Sequence, residues 1–282
     1  MTGDVRFSKY QGTGNDFVMV IDLDDERSFT AQEAAALCDR RFGVGADGLI
    51  RVVRGRDAAL FMDYRNADGS VAEMCGNGVR CVAALARSAG LIDMAAFDVA
   101  TRAGIHRVEL LADGRIAVEM GRPAFAKSAI PMRGPAWETF LTEPFDIGGG
   151  LTVKASALSM GNPHLVLLVE DDPDRYHVAH IGPALERHEL FPEGTNVEFA
   201  HVTNDGILAR VWERGSGETM ACGSGACAVA VAANEAGLAP ARTMVRFPGG
   251  DLEVERREDG EVVLSGPATE VFGGAVDLDA LR

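Results

Sequence analysis

The chain is predicted to adopt a mixed α/β (α+β) fold in two pseudo-symmetric domains, each wrapping strands around one central helix, with a site where the halves meet. Three observations predict this. A cysteine among glycines occurs twice, in Glu73-Met74-Cys75-Gly76-Asn77-Gly78 and in Met220-Ala221-Cys222-Gly223-Ser224-Gly225, and the two cysteines are 147 positions apart. The same offset separates Asn15 from Asn162, and Gly90 from Gly237. Shared register of this kind marks an internal duplication, and hence a pseudo-twofold arrangement. After each Gly-x-Gly the chain is nearly all apolar or small, from Val79 to Ala89 and from Ala226 to Ala236, and each run closes on a glycine able to take the left-handed cap. A helix that is apolar all round is a buried one.

The remaining elements are mostly short strands. Val5 and Phe7 begin an alternation that runs toward Gly12, Phe17 to Ile21 is a buried strand, and Ala31 to Arg41 has helical spacing. Leu49 to Val53 and Leu60 to Arg65 are strands, and His106 to Leu111 pairs with Ile116 to Met120 across Asp113-Gly114 as a hairpin. In the second half Leu165 to Val169, Asn196 to Ala200 and Ile207 to Trp212 are strands, and Ala184 to His188 suits a short helix. Leu252 to Glu255 and Val262 to Leu264 flank Asp259-Gly260 as a second hairpin. Gly121 to Gly150 carries four prolines and a triple glycine, a linker composition, and the domain boundary is placed at its start. The expected domains are residues 1–122, with 271–282 packing back on them, and residues 123–270.

With 282 residues, 47% of them apolar, the chain can bury two cores. A formal charge of −15 argues against nucleic-acid and anionic-membrane partners, which demand clustered Lys and Arg. The first ten residues lack the apolar core of a signal peptide, so a cytoplasmic location is expected. The five cysteines are then reduced thiols.

Cys75 and Cys222 begin the two central helices. Unpaired N–H groups there form an anion site, and the helix dipole favours a thiolate by about 0.3 to 1 kcal/mol. Cys81 and Cys227 point elsewhere around their helices, and Cys38 lies in a helical run, so these three are packing residues. No cysteine spacing suits zinc, and no glycine loop completes a phosphate motif, so no metal and no nucleotide is expected. His164 follows the repeat residue Asn162 and is either structural or a polarising group. Glu213-Arg214 ends a strand before the second cysteine loop, where Arg214 is either half of a surface pair or a bidentate carboxylate grip.

Two opposed thiols suit inversion of a stereocentre, because one base removes a proton from one face while an acid delivers another to the opposite face. Cysteine titrates near enough to neutral pH to serve in both forms. The developing carbanion then needs N–H groups aimed at the adjoining carboxylate, which two helix N-termini supply. Pyridoxal phosphate would demand a Schiff-base lysine, and Lys9, Lys127 and Lys154 have no phosphate-binding context, so no cofactor is expected.

Taken together, Gly14-Asn15-Asp16-Phe17, Asn66-Ala67-Asp68-Gly69-Ser70, Met74-Cys75-Gly76-Asn77-Gly78, Gly161-Asn162-Pro163-His164, Gly194-Thr195-Asn196 and Glu213-Arg214-Gly215 through Gly225 resemble the diaminopimelate epimerases over essentially the whole chain. Proline racemases and hydroxyproline epimerases, which share the duplicated fold, usually carry histidine where this chain has Asn77. The resemblance implies two domains, each a barrel-like sheet around a central helix, with the active site in the interdomain cleft. It implies Cys75 and Cys222 as acid and base in a cofactor-independent conversion of LL- to meso-diaminopimelate, a step of lysine and cell-wall precursor biosynthesis. It also implies Gly76, Asn77, Gly223 and Ser224 on the reacting carboxylate, and Asn15, Asn66, Asn162, Asn196, Glu213 and Arg214 on the rest of the substrate. His164 and Glu213 match positions that tune the thiols, and a homodimer is implied by resemblance alone. Ala46-Asp47-Gly48 departs from the family, some of whose members place a substrate-contacting glutamine in that loop. A binding protein on the same fold is the alternative, with Arg214 and the asparagines as a ligand clamp and the cysteines dispensable.

Overall fold

A computed structural model describes residues 4–281. They divide into two compact units, one built from the residues up to Val118 together with those from Gly266 onward, the other from Glu119–Ser265. No helix among the described residues is long and apolar enough to cross a membrane.

The first unit contains strands β1 (Asp4–Gly12), β2 (Asn15–Ile21), β3 (Gly48–Arg54), β4 (Leu60–Asn66), β5 (Ala96–Thr101), β6 (Gly104–Leu110) and β7 (Ile116–Glu119), with helices α1 (Ala31–Cys38) and α2 (Gly76–Ser88). The second contains β8 (Phe140–Asp146), β9 (Thr152–Ser159), β10 (Pro163–Leu168), β11 (Asn196–Thr203), β12 (Gly206–Glu213), the short β13 (Gly217–Thr219), β14 (Arg242–Phe247), β15 (Gly250–Arg256) and β16 (Val262–Gly266). Its helices are α3 (Val178–Glu186) and α4 (Gly223–Glu235), and β17 (Thr269–Asp277) returns to pair antiparallel with β1 of the first unit.

Strand pairing shows the duplication directly. In the first unit β1 and β2 are antiparallel, β2 and β3 parallel, β3 and β4 antiparallel, β4 and β5 parallel, and β5, β6 and β7 successively antiparallel. In the second, β9, β10, β11, β12, β14, β15 and β16 repeat those senses in that order. Both α2 and α4 have 13 residues, and the 147-residue offset carries one onto the other end to end.

Each unit buries its central strands on both faces. In the first, Val18, Val20, Leu49, Ala34 and Leu37 form one cluster with α1, while Ile50 and Met62 face Gly78 of α2. In the second, Leu165, Leu167, Val197 and Phe199 pack with Val178 and Leu185 of α3, and α4 is surrounded by β8 to β12, β14 and β15. Two-sided burial explains why β10 is buried at every position and apolar at all but His164, instead of alternating. Gly90 and Gly237 take φ values of 66° and 70° just past the two central helices, the left-handed conformation that glycine adopts without a Cβ penalty.

The structure differs from the sequence reading in four places. Gly121 to Gly150 is not a linker: it lies within the second unit and carries β8, and the triple glycine is the turn from β8 into the antiparallel β9. Helix α1 stops at Cys38, because the Asp39 side chain accepts from the N–H groups of Arg41 and Phe42 and folds the chain away. Helix α3 begins six residues before Ala184 and includes Pro183, and its Gly182 makes room for the Trp212 ring. Strands β5, β8, β9, β13, β14 and β17 went unpredicted; β17 is exposed along nearly all its length and so has no apolar alternation to read.

Candidate active site

In the first unit Cys75 is the N-cap of α2, in extended conformation at φ −146°. Its thiol lies 3.5 Å from Asn15 Oδ1, which also accepts from Asn77 Nδ2 at 3.4 Å. Asn15 is itself fixed, donating from Nδ2 to Asp47 Oδ2 at 2.7 Å. Asp47 and Asp16 share Arg40, at 2.8 and 2.7 Å. Burial alone would raise the Asp16 carboxyl, but hydrogen bonds from Arg40 and Lys9 overcome it and hold the group at about 2. The loop that departs from the family thus contributes by anchoring Asn15. A side chain at Gly48 has no room there, since its Cβ would lie 2.4 Å from the Tyr64 ring.

Asn77 is held from behind by Arg80, whose guanidinium is fully buried and donates to Asn77 Oδ1 at 2.8 Å, Thr13 Oγ1 at 3.3 Å, Gly76 O at 3.4 Å and Pro267 O at 3.3 Å. Replacing Arg80 by Met keeps the volume and strips these acceptors of their donor. Each buried orphan costs about 1 to 3 kcal/mol, partly offset by relief of a buried charge. Arg80→Met is therefore expected to lower stability by about 2 kcal/mol in urea unfolding and to weaken substrate binding; an unchanged midpoint would show that Arg80 does not secure the Cys75 loop. Asn66, at the end of β4, bonds Ser70 through both its backbone N–H, at 2.9 Å, and its side chain, at 3.0 Å.

In the second unit Cys222 is the N-cap of α4, and its sulfur accepts from Gly225 N–H at 3.4 Å and lies 3.5 Å from Ser224 Oγ. Asn162 Nδ2 donates to Ser224 Oγ at 3.3 Å, and Asn162 Oδ1 meets His164 Nε2 at 2.9 Å. The other ring nitrogen, Nδ1, is 2.7 Å from Glu198 Oε1, with both residues fully buried. Asn196 joins backbone to backbone, donating to Pro163 O and accepting from Arg214 N–H, each at 2.9 Å. Arg214 also donates to Glu193 O at 3.3 Å, and Glu186 fixes its loop by accepting from Gly215 N–H at 3.0 Å and Trp212 Nε1 at 2.7 Å. Glu213 accepts the Thr219 hydroxyl.

Burial pushes the Cys222 thiol well above the ordinary cysteine range, and the negative charge of Glu213 pushes it further, against the hydrogen bond from Ser224. At this sulfur burial outweighs the helix dipole invoked from the sequence. The expected packing cysteines Cys38, Cys81 and Cys227 are all buried.

The first unit therefore gathers Asn15, Asn77 and Gly76 around Cys75, with Asn66 nearby in sequence but bonded within its own turn. The second gathers Asn162, His164, Gly223 and Ser224 around Cys222, and Asn196 with Arg214. Arg80, Asp47, Glu186 and Glu198 escaped the sequence reading. Arg80 and Glu198 carried a usable signal, each being a charge set directly among apolar residues of its element, a position seldom filled unless the charge has partners.

The sequence matches the family model for diaminopimelate epimerase over residues 7–126 and 156–271. It is 47% identical over 279 residues to the diaminopimelate epimerase of Desulforudis audaxviator, covering 96% of this chain and 98% of that one. Against the chloroplastic diaminopimelate epimerase of Oryza sativa subsp. japonica it is 44% identical over 282 residues, covering 96% and 80%. Among solved structures the chain is similar to a hydroxyproline epimerase from Agrobacterium vitis with bound trans-4-hydroxy-L-proline, at a TM-score of 0.72, 12% identity and 99% and 94% coverage. It is also similar to a PhzF-family phenazine biosynthesis protein from Bacillus anthracis, at a TM-score of 0.69, 17% identity and 97% and 99% coverage. These two establish the fold, the same in both.

Proposed function

Since the chain belongs to the diaminopimelate epimerase family and is an amino-acid epimerase, we propose that it interconverts LL- and meso-2,6-diaminopimelate by exchanging the α-proton between Cys75 and Cys222. The observation that carries this reading is the equivalence of the two thiols: each caps a 13-residue buried helix at the same place in a duplicated unit, followed by glycine and then by a small polar residue, Asn77 or Ser224.

The chemistry follows from what surrounds each sulfur. Epimerisation needs one sulfur deprotonated and the other protonated, on opposite faces of one carbon, with roles exchanged in the reverse direction. Ser224 and Gly225 supply donors to Cys222, an arrangement that supports a thiolate, whereas Cys75 faces an acceptor, Asn15 Oδ1, and so is held as a donor. The first-turn N–H groups of α2 and α4 have no intrahelical acceptor and are available to the reacting carboxylate, whose charge grows as the α-proton leaves. Gly76 and Asn77 on one helix, and Gly223 and Ser224 on the other, take that role. Asn66, Asn162, Asn196, Glu213 and Arg214 would recognise the ammonium groups and the distal carboxylate, the guanidinium serving the carboxylate as a fork. His164 and Glu213 act on the thiols and not on the substrate carbon. The reading assigns no cofactor, and it extends to a cytoplasmic homodimer whose charge of −15 suits neither nucleic acid nor an anionic membrane.

Proton NMR of the reduced protein with LL-diaminopimelate in D2O, followed by chiral analysis, tests the proposal. The expected result is deuterium at one α-carbon together with the meso isomer. Exchange with proline or hydroxyproline, but not with diaminopimelate, would keep the mechanism and replace the substrate. Silence with all three would refute the reading.

A further inference from the structure

The duplicated units are not equivalent behind their sulfurs. By the 147-residue offset, His164 corresponds to Phe17, and Glu198, paired with Val166, stands where Ile50, paired with Met19, stands in the first unit. Phe17 packs edge-on against Tyr64 with ring centroids 5.7 Å apart, and Ile50 Cδ1 is the group that a Cβ on Gly78 would meet, at 3.0 Å. Among the described residues only the second unit places a buried carboxyl–imidazole pair behind its cysteine. The carboxyl lies against the helix start itself: a Cβ on Gly225 would stand 2.9 Å from Glu198 Oε1 and 3.1 Å from Cys222 Cβ, so glycine is what lets the two approach. The second carboxyl oxygen, Oε2, is buried and makes no hydrogen bond.

The hydrogen bonds run in one direction. Asn162 turns its Nδ2 to Ser224 and its Oδ1 to His164 Nε2, so Nε2 carries a proton. One further proton then lies between Nδ1 and Glu198 Oε1, 2.7 Å apart. Whichever of those atoms holds it, the pair is neutral overall and Nε2 remains a donor. From there the line runs toward the sulfur: His164 donates to Asn162, Asn162 donates to Ser224, and the Ser224 hydroxyl, whose oxygen already accepts from Asn162, lies 3.5 Å from the Cys222 sulfur with its proton available to it. Such chains polarise cooperatively in a low-dielectric interior.

We propose that Glu198 is a positioning residue for Cys222, holding one proton jointly with His164 and so starting a line of donors, through Asn162 and Ser224, that ends on the Cys222 sulfur. The charged groups bearing on that sulfur are Glu213 at the end of β12 and Glu198 on β11, and both Glu213 and His164 on β10 bear on Glu198. Glu198 and Glu213 are both acidic, so a plain charge effect and a donor line predict opposite signs when Glu198 is removed. A bare negative charge near the sulfur disfavours the thiolate, whereas the donor line favours it. The inference rests on the reading of Cys222 as acid and base for its meaning, but it is tested without turnover, so failure of one is separable from failure of the other.

The test measures the rate of Cys222 alkylation by iodoacetamide against pH in a Cys75→Ser background, with the modified site identified by mass spectrometry. Glu198→Gln keeps the size of the side chain but not its exchangeable proton, and leaves His164 neutral with Nε2 at most a weaker donor. Alkylation at about pH 7 to 8, where the protein is folded, is expected to slow about tenfold, the size of an upward move of the inflection by about one pH unit. Ser224→Ala, which cuts the last link, should shift the inflection in the same direction, and the double variant should add little. A downward shift in Glu198→Gln would show that Glu198 acts as a charge, and no shift that it only packs; either overturns the proposal. If Glu198→Gln does not fold, nitrogen-15 histidine NMR of the unmutated protein decides: His164 must show a proton on Nε2 and an exchange-protected proton on the Nδ1 side across pH 6 to about 9. A bare Nε2 would end the proposal.

Discussion

Cys75→Ser and Cys222→Ser are each expected to slow conversion of LL- to meso-diaminopimelate by about 10³-fold or more, because a positioned general acid or base contributes about 10² to 10⁴ and a serine hydroxyl is a poor substitute for either. Their residual chemistry should differ from simple loss. If one thiol is the base for one isomer, the variant that keeps it can still remove that isomer's α-proton and return deuterium from D2O to the same face. Each single variant is thus expected to exchange the α-proton of one stereoisomer only, with retention, and the two variants should choose opposite isomers. Chiral analysis with deuterium counting reads both results at once. Equal exchange of both isomers by one variant, or near-normal turnover in either, would mean that the thiols are not an acid–base pair, and the clamp formed by Arg214 and the asparagines would then be the better account of the chain.

Alkaline pH should unfold the protein steeply. Burial pushes the Cys38 and Cys81 thiols up to about 12, against the favourable charges of Lys9 and Arg80 respectively, and it also raises Cys222 well above its usual value. In the unfolded chain these thiols ionise near pH 8.5 to 9. Above that range the folded state retains protons that the unfolded state releases, so stability is complete below about pH 8.5 and is lost as pH rises toward about 12. Each thiol contributes about 1.4 kcal/mol per pH unit, and three give about 4 kcal/mol. Against a typical stability of about 5 to 15 kcal/mol, this slope unfolds the chain over about one to four pH units. Urea unfolding from pH 8 to 11 under a reductant checks the slope, and Cys81→Ala should reduce it by about one third. A slope unchanged by Cys81→Ala would show that this buried thiol ionises without penalty.

What the sequence disclosed and what it hid have separate physical causes. The duplication, both cysteine helices and the strands buried on two faces were legible, because offset, apolar runs and capping glycines are local signals. Each central helix begins one residue after its cysteine and ends just before its predicted glycine. Gly121 to Gly150 misled because proline and a triple glycine suit a hairpin turn as well as a linker, and only pairing of β8 with β9 distinguishes them. At the site, Cys75, Asn15, Asn77 and the cluster of Asn162, His164, Ser224 and Cys222 were named from motifs, and each set is brought together within its unit. Glu198 and Arg80 act through partners distant in sequence, Glu198 through a histidine 34 positions away and Arg80 through a carbonyl 187 positions away, and no local pattern encodes such partnerships.

The pairing of β1 with β17, which sets Val5 opposite Val276, gives the two units different histories during synthesis. The second unit is one contiguous stretch and can close as soon as it has emerged. The first has its opening strand β1 made long before its closing strand β17, with the whole second unit between them. At about 5 to 20 residues per second, β1 waits on the order of ten to fifty seconds for its partner. Through that interval its edge offers unpaired N–H and C=O groups to any neighbouring chain. The unit whose first strand emerges earlier is therefore finished later, and the Cys75 helix, which packs against both β1 and β17, acquires its full surroundings only once β17 has emerged.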